Sequence, residues 1–248
     1  MQTLRWDAPE WHESLGSTND VALADARPGR VVVADHQSAG RGRRGRTWSS
    51  PPFTCLAISA VLPAPAPATS GWVPLAAGLA VVAALGRSRW PVRAVLKWPN
   101  DVLLETGPRP GKICGVLAQV APGGAVVVGA GINVDHDADQ LPVPSATSWR
   151  LARGGAPLPD GARASLLEDY LARLAELSDA LGAGDVAAVR TAYLDRCSTL
   201  GRQVVVHRPD GGLTEGRASG VDASGALVVD GEGTSVHHAG DVVHVRPQ

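Results

Sequence analysis

Residues 40–48 read GRGRRGRTW and place four arginines within positions 40–46 of a chain whose charges otherwise almost cancel. The same letters, Gly40-x-Gly42-x-x-Gly45, spell the dinucleotide-binding fingerprint, and Arg/Gly clusters beside an aromatic also track nucleic-acid backbones. The residues after the stretch separate these folds. A Rossmann unit needs its last glycine to open a helix against the preceding strand, with an acid about 20 residues on to hold the ribose. The continuation here is RTWSSPPFTC, whose paired prolines run straight into a β-rich segment and leave no room for that helix. VVVADHQ (31–37) and TCLAISAVLP (54–63) flank the stretch with β-branched and apolar residues, so it is expected to be a loop between two strands with its arginines in the open. Nucleic-acid binding spreads basic charge over a face, and 23 basic against 24 acidic side chains leave none to spread. The third reading is a loop whose N–H groups and guanidinium forks close over a small anionic ligand, with Trp48 covering an aromatic ring.

A chain of 248 residues suits one catalytic core and a small appended module. Its formal net charge of −1 gives no whole-molecule field for DNA or an anionic membrane, so neither is an expected partner. Cys55, Cys114 and Cys197 show no C-x-x-C or Cys/His metal spacing and read as buried thiols. The beginning MQTLRWDAPEWHES lacks a basic-then-apolar leader, and the apolar stretch Leu75 to Leu85 is too short to span a bilayer; the expectation is a cytoplasmic protein.

Ser17-Thr18-Asn19-Asp20 precedes VALADA (21–26) and offers side chains that can satisfy a first helical turn. Residues 72–86 are Ala/Leu-rich and predict a buried helix despite two glycines. Strands are predicted at 94–98, 112–121 and 125–134, and helices at 164–177 and 185–196. From about Leu200 the texture turns to short alternating strands between glycine turns, a small SH3-like barrel. The expected division is a catalytic domain over 1–198 and a β domain over 199–248.

Further anion-handling groups stand downstream of the arginines. Lys97-Trp98-Pro99-Asn100-Asp101 ends a predicted strand, Lys112 opens another in GKICGVL, and Gly129-Ala130-Gly131-Ile132-Asn133 gives a backbone that can be approached closely. Singly, each has an ordinary explanation: a solvated strand-end lysine, a turn-forming aspartate, a helix cap. Their order, STND, QSAGRGRRGRTW, KWPND, GKICGVL, GAGIN, resembles the biotin protein ligase family over about residues 12–135.

That resemblance implies a mixed-sheet α/β (α+β) catalytic domain of the class II aminoacyl-tRNA synthetase and lipoate ligase type, followed by the SH3-like domain. It implies an enzyme that makes biotinyl-5′-AMP from biotin and ATP and then biotinylates one lysine of a biotin carboxyl carrier domain, as in acetyl-CoA carboxylase. A carboxylate attacking the ATP α-phosphate gathers several negative charges, which local cations and Mg²⁺ stabilise. By the same resemblance Ser17, Thr18, Asn19 and Gln37 hold the biotin ureido head, with Gly40, Arg41 and Gly115 shaping that pocket. Arg43, Arg46 and Lys112 meet carboxylate and phosphate. Lys97 adds a cation, and Trp48 and Asn133 meet the adenylate. Asn100 and Asp101 face phosphate, metal or incoming lysine. Mg²⁺ is expected mainly on the ATP phosphates, its protein ligands being left open with Asp101 as a candidate, and Arg246 is a candidate nucleotide contact. Lys112, Asp101 and Arg43 are the expected catalytic residues. Only 16 residues precede Ser17, so the extra DNA-binding domain of repressor-type members is not expected. Two rivals stay open: a lipoate or octanoate ligase of the same fold, and a non-catalytic nucleotide- or nucleic-acid-binding protein.

Overall fold

The computed structural model describes residues 3–245, so the Arg246 candidate lies outside the described residues. Among them the chain runs β1 (Glu10–His12), α1 (Thr18–Ala24), β2 (Val31–Ala34), β3 (Cys55–Leu62), α2 (Val73–Arg87), β4 (Val95–Lys97), β5 (Asp101–Leu104), β6 (Gly111–Val120) and β7 (Val126–Asn133). Helices α3 (Trp149–Ala152), α4 (Ala162–Gly182) and α5 (Val186–Leu194) come next. The strands form one sheet in the order β1-β2-β3-β7-β6-β5-β4. Only β1 and β2 pair in parallel, so the sheet is mixed, as the resemblance implies.

All eight residues of β3 are buried because both faces of the sheet are covered there. Val31, Val33, Leu56, Ile58, Val128 and Ile132 join α2 and α4 in the main core, while Val32, Val61 and Val127 form a smaller cluster with Ala22 of α1. The odd-numbered positions of β3 and β7 therefore face α1, and Ser59, Gly129, Gly131 and Asn133 fall on that face by strand alternation. Helix α2 carries Pro74 in its first turn, where a missing N–H costs nothing. Its Gly78 allows close approach to the sheet, since a Cβ there would lie 3.0 Å from Leu96 Cδ2. With the 3₁₀ turn before it, Pro67–Arg87 does reach the length and apolarity of a bilayer span, longer than the stretch read from sequence, but most of it is buried inside the fold.

The second sheet comprises β8 (Gln203–His207), β9 (Leu213–Val221), β10 (Leu227–Asp230), β11 (Thr234–His237) and β12 (Asp241–His244), ordered β11-β10-β9-β8-β12 and antiparallel throughout. Its β9–β10 turn docks on the first sheet's layer: the indole N–H of Trp72 donates to the Ala223 carbonyl at 2.9 Å and that of Trp98 to the Gly225 carbonyl at 3.1 Å. All three cysteines are buried free thiols.

Beyond β7, His136 is fully buried, with Nε2 3.1 Å from Thr54 Oγ1. Burial pushes its pKa down to about 4. Unfolding then takes up a proton at pH values between about 4 and the ordinary histidine value near ~6.5, so the stability held by neutral His136 is complete above that window and lost as pH falls through it. His244, also held at about 4 by burial, acts in the same direction. The melting temperature should therefore drop between pH 6.5 and 4, and less steeply in His136→Gln; equal slopes for the two proteins would exclude this origin.

Candidate active site

Ser17 occupies the N-cap position of α1, yet its side chain makes no cap hydrogen bond. The cap comes from Gln37, whose Oε1 accepts the Thr18 N–H at 2.8 Å, leaving the Ser17 hydroxyl to the cavity that it lines. The expected cap residues thus serve the site, with Thr18 and Asn19 both buried. Asn19 lies against Gly129, where any Cβ would collide with its amide oxygen. Thr18 and Asn19 lean on Ser59 of β3, and Asn19 Nδ2 donates to Gln119 Oε1 at 2.6 Å.

The arginine stretch is a closed hairpin between β2 and β3. The Gly42 N–H donates to the Arg46 carbonyl at 2.6 Å and the Trp48 N–H to the Gly40 carbonyl at 2.9 Å, while Arg44 takes the left-handed region at φ 57°. The expectation of open arginines fails for Arg43, which turns inward and donates to Asn100 Oδ1 at 3.0 Å and the Gly240 carbonyl at 3.4 Å. Burial pulls the Arg43 pKa below its ordinary value. The other three have carboxylate partners: Arg41 meets Asp20 at 2.9 Å, and Arg44 and Arg46 meet Asp241 of β12 at 3.3 and 2.8 Å. A sequence reading could not supply Asp241, which stands 195 residues from Arg46.

Trp48 closes the hairpin and lies on two glycine backbones. A Cβ at Gly131 would sit 2.5 Å from Trp48 Cε2, and one at Gly115 would sit 3.1 Å from Trp48 Cζ3. The glycines of GAGIN thus admit the protein's own Asn19 and Trp48. On the expectation that Trp48 meets the adenylate, Gly131→Ala should displace the indole and weaken ATP binding at least tenfold by titration, while Gly86→Ala, open at its Cβ position, should leave it unchanged.

KWPND is the turn of the β4–β5 hairpin, in which Lys97 faces Asp101. The sequence reading missed β5, because Pro99 ends β4 and pairing resumes two residues later. Strand β6 carries a bulge: Val102 pairs Cys114 and Leu103 pairs Lys112, with Ile113 left over. Ile113 and Cys114 are consequently both buried, and Lys112 and Gly115, three residues apart, line the same cavity. Lys112 Nζ stands 2.5 Å from Asp101 Oδ1 and 5.8 Å from the Trp48 ring centre. Burial lowers the Lys97 pKa, with Asp101 partly offsetting it.

These groups surround one cavity of about 450 Å³, within the range of small-molecule sites. Of the sequence candidates among the described residues, only Gly40 does not line it. Gly40 is buried against the Trp48 backbone and the Gln37 side chain, so it serves the closing of the hairpin. Sequence reasoning assigned no role to the wall formed by Pro142, Val143, Ser145 and Ala146, which lies between the predicted strand ending at 134 and the predicted helix starting at 164. That wall is tied to Lys112: the Lys112 N–H donates to the Ser145 carbonyl at 2.8 Å and the Lys112 carbonyl accepts from Thr147 at 2.9 Å. Asn133 fastens it too, donating to the Thr147 carbonyl at 3.0 Å.

Residues 11–137 match the biotin/lipoate A/B protein ligase family, and residues 199–245 match the biotin protein ligase C-terminal domain. A biotin–[acetyl-CoA-carboxylase] ligase of Mycobacterium tuberculosis is 38% identical over 93% of this chain and 86% of its own length. One of the same name from Paracoccus denitrificans is 34% identical over 87% of this chain and 91% of its own. The structure of the Aquifex aeolicus biotin protein ligase in complex with biotin and ATP superposes with a TM-score of 0.78 at 25% identity, covering 98% of this chain and all of that one. With both segments matched and relatives aligned over most of its length, this chain belongs to the biotin/lipoate A/B protein ligase family.

Proposed function

We propose that this chain is an ATP-dependent biotin protein ligase that forms biotinyl-5′-AMP and passes the biotinyl group to one lysine of a biotin carboxyl carrier domain. The observation that carries the reading is the joining, in one cavity, of a neutral hydrogen-bonding cradle (Ser17, Thr18, Asn19, Gln37) to a cationic end (Arg43, Lys97, Lys112). A ligand with a polar uncharged head and a carboxylate tail matches both ends. The names of the Mycobacterium and Paracoccus relatives and the biotin and ATP in the Aquifex complex support the same substrates. The lipoate rival is disfavoured by the cradle, since a dithiolane head offers no N–H or carbonyl to meet the Ser17 hydroxyl and the remaining lone pairs of Thr18 and Asn19.

In the first step a biotin carboxylate oxygen attacks the α-phosphorus of ATP; the new O–P bond forms as the bond to the β-phosphate oxygen breaks, and pyrophosphate leaves. Lys112, Lys97 and Arg43 offset the charge that gathers there. Trp48, seated on Gly131 and Gly115, offers its indole to the adenylate. In the second step the acceptor amine attacks the acyl carbon, the acyl–phosphate bond breaks as AMP leaves, and the amine passes a proton to the carboxylate of Asp101, which lines the same cavity. Among the described residues no three His, Cys, Asp or Glu stand together as a metal site, and Asp101 is already held by Lys112. A Mg²⁺ would therefore be carried mainly by the nucleotide phosphates, with Asp101 as the carboxylate beside them in the cavity. We assign both steps to residues 1–198, with residues 199–248 as a second domain that contacts the arginine hairpin through Asp241. Incubation with ATP, biotin and a purified carrier domain tests the reading: one biotin should attach to a single carrier lysine, and ATP-dependent labelling with lipoate in its place would decide for the rival.

A further inference from the structure

Behind the cradle lies Ser59, a fully buried serine on β3 that does not line the cavity. Its Oγ is 2.6 Å from Asn19 Oδ1 and 2.8 Å from Thr18 Oγ1. A hydroxyl has one proton to give, so the two contacts cannot both be donations from Ser59. The Asn19 amide settles which is. Its Nδ2 faces the Leu117 carbonyl at 3.4 Å, a group that only accepts, so Oδ1 is the atom turned to Ser59 and the Ser59 proton goes there. Gln119 Oε1 takes the other Asn19 amide proton at 2.6 Å. The Thr18 hydroxyl is then left with protein acceptors alone, Ser59 Oγ at 2.8 Å or Gln37 Oε1 at 3.1 Å. Gln37 is pinned as well, because its Oε1 already accepts the Thr18 N–H at 2.8 Å.

We propose that Ser59, seconded by Gln119, is a positioning residue that fixes the hydrogen-bonding polarity of the cradle. Thr18 Oγ1 and Asn19 Oδ1, with their protons and donors committed inside the protein, offer the cavity only lone pairs. At these two positions the site therefore selects N–H donors, while the free Ser17 hydroxyl can meet an acceptor; the cyclic urea of biotin presents both and a dithiolane neither. The inference rests on the biotin ligase reading and adds a residue layer that touches no substrate.

Pyrophosphate release measured against biotin, against ATP, and against a biotin methylated on its ureido nitrogens tests it in the wild type, Ser59→Ala and Gln119→Ala. In Ser59→Ala the biotin KM should rise about tenfold with the ATP KM and saturating rate within about twofold, and the preference for biotin over its N-methylated form should shrink. Gln119→Ala, at a half-exposed position, should move the biotin KM the same way by a smaller factor, and it decides the matter if Ser59→Ala does not fold. An unchanged biotin KM in a folded variant, or biotin KM, ATP KM and rate worsening together with the preference intact, would overturn the proposal while leaving the ligase reading standing. A wild type that releases no pyrophosphate with biotin would overturn both.

Discussion

Lys112→Ala should lower biotinyl-adenylate formation by roughly 10²- to 10³-fold, the usual consequence of removing one preorganised group from a developing charge. The melting temperature should shift by no more than a few degrees. The fold of this region is held through the Lys112 backbone, whose N–H and carbonyl tie β6 to Ser145 and Thr147, and alanine keeps both bonds. The lost side chain is about one-third exposed, and its ionic partner Asp101 retains Lys97 opposite it on the β4–β5 hairpin, so no buried charge is orphaned. Single-turnover adenylation and thermal unfolding on one preparation check the two halves. Near-normal turnover would remove Lys112 from the reacting centre, and a collapse of the fold would make its role structural.

Arg43→Gly should loosen the hairpin and let the reactive intermediate escape. Arg43 is the one loop arginine that reaches both the KWPND turn, at Asn100, and the second sheet, at the Gly240 carbonyl. Each such bond to a charged group contributes about 1.5 to 3 kcal/mol, and glycine adds backbone freedom next to Gly42 and Gly45. Arg44 and Arg46 still hold Asp241, and Lys97 and Lys112 remain in the cavity, so adenylation should continue within about tenfold of the wild type. The expected product is free biotinyl-5′-AMP, a mixed anhydride that acylates any exposed lysine. Incubation with ATP, biotin and albumin should label the albumin, several-fold more than the wild type does. Unlabelled albumin with pyrophosphate release intact would show that Arg43 does not retain the intermediate.

Most of the residues that line the cavity were legible in sequence because they are compressed into short motifs: STND, GRGRRGRTW, KWPND, GKICGVL. Strands β2, β3, β6 and β7 were legible within a few residues because their apolar runs are long and bounded by Gly/Pro turns. The features that were missed depend on distance or on a break of period. Strands β1 and β5, three and four residues long, are too short for a periodic signal. The bulge that sets Lys112 and Gly115 on one side breaks the alternation from which faces are read. Ser59 sits in the buried run CLAISAVL and shows its purpose only when α1 is laid on it. The openness assigned to the arginines came from their composition; the structure supplies Asp20, Asn100 and Asp241 from three other parts of the chain.

In the proposed function one cavity binds an uncharged polar head and activates the carboxylate at the other end of the same molecule. The most direct test of this function is pyrophosphate release by the purified wild-type protein with ATP and Mg²⁺, comparing biotin with lipoate in the absence of any acceptor. A stoichiometric burst is expected with biotin, one pyrophosphate per active site, and none above background with lipoate. A burst with lipoate, or no release with either acid, would contradict this function.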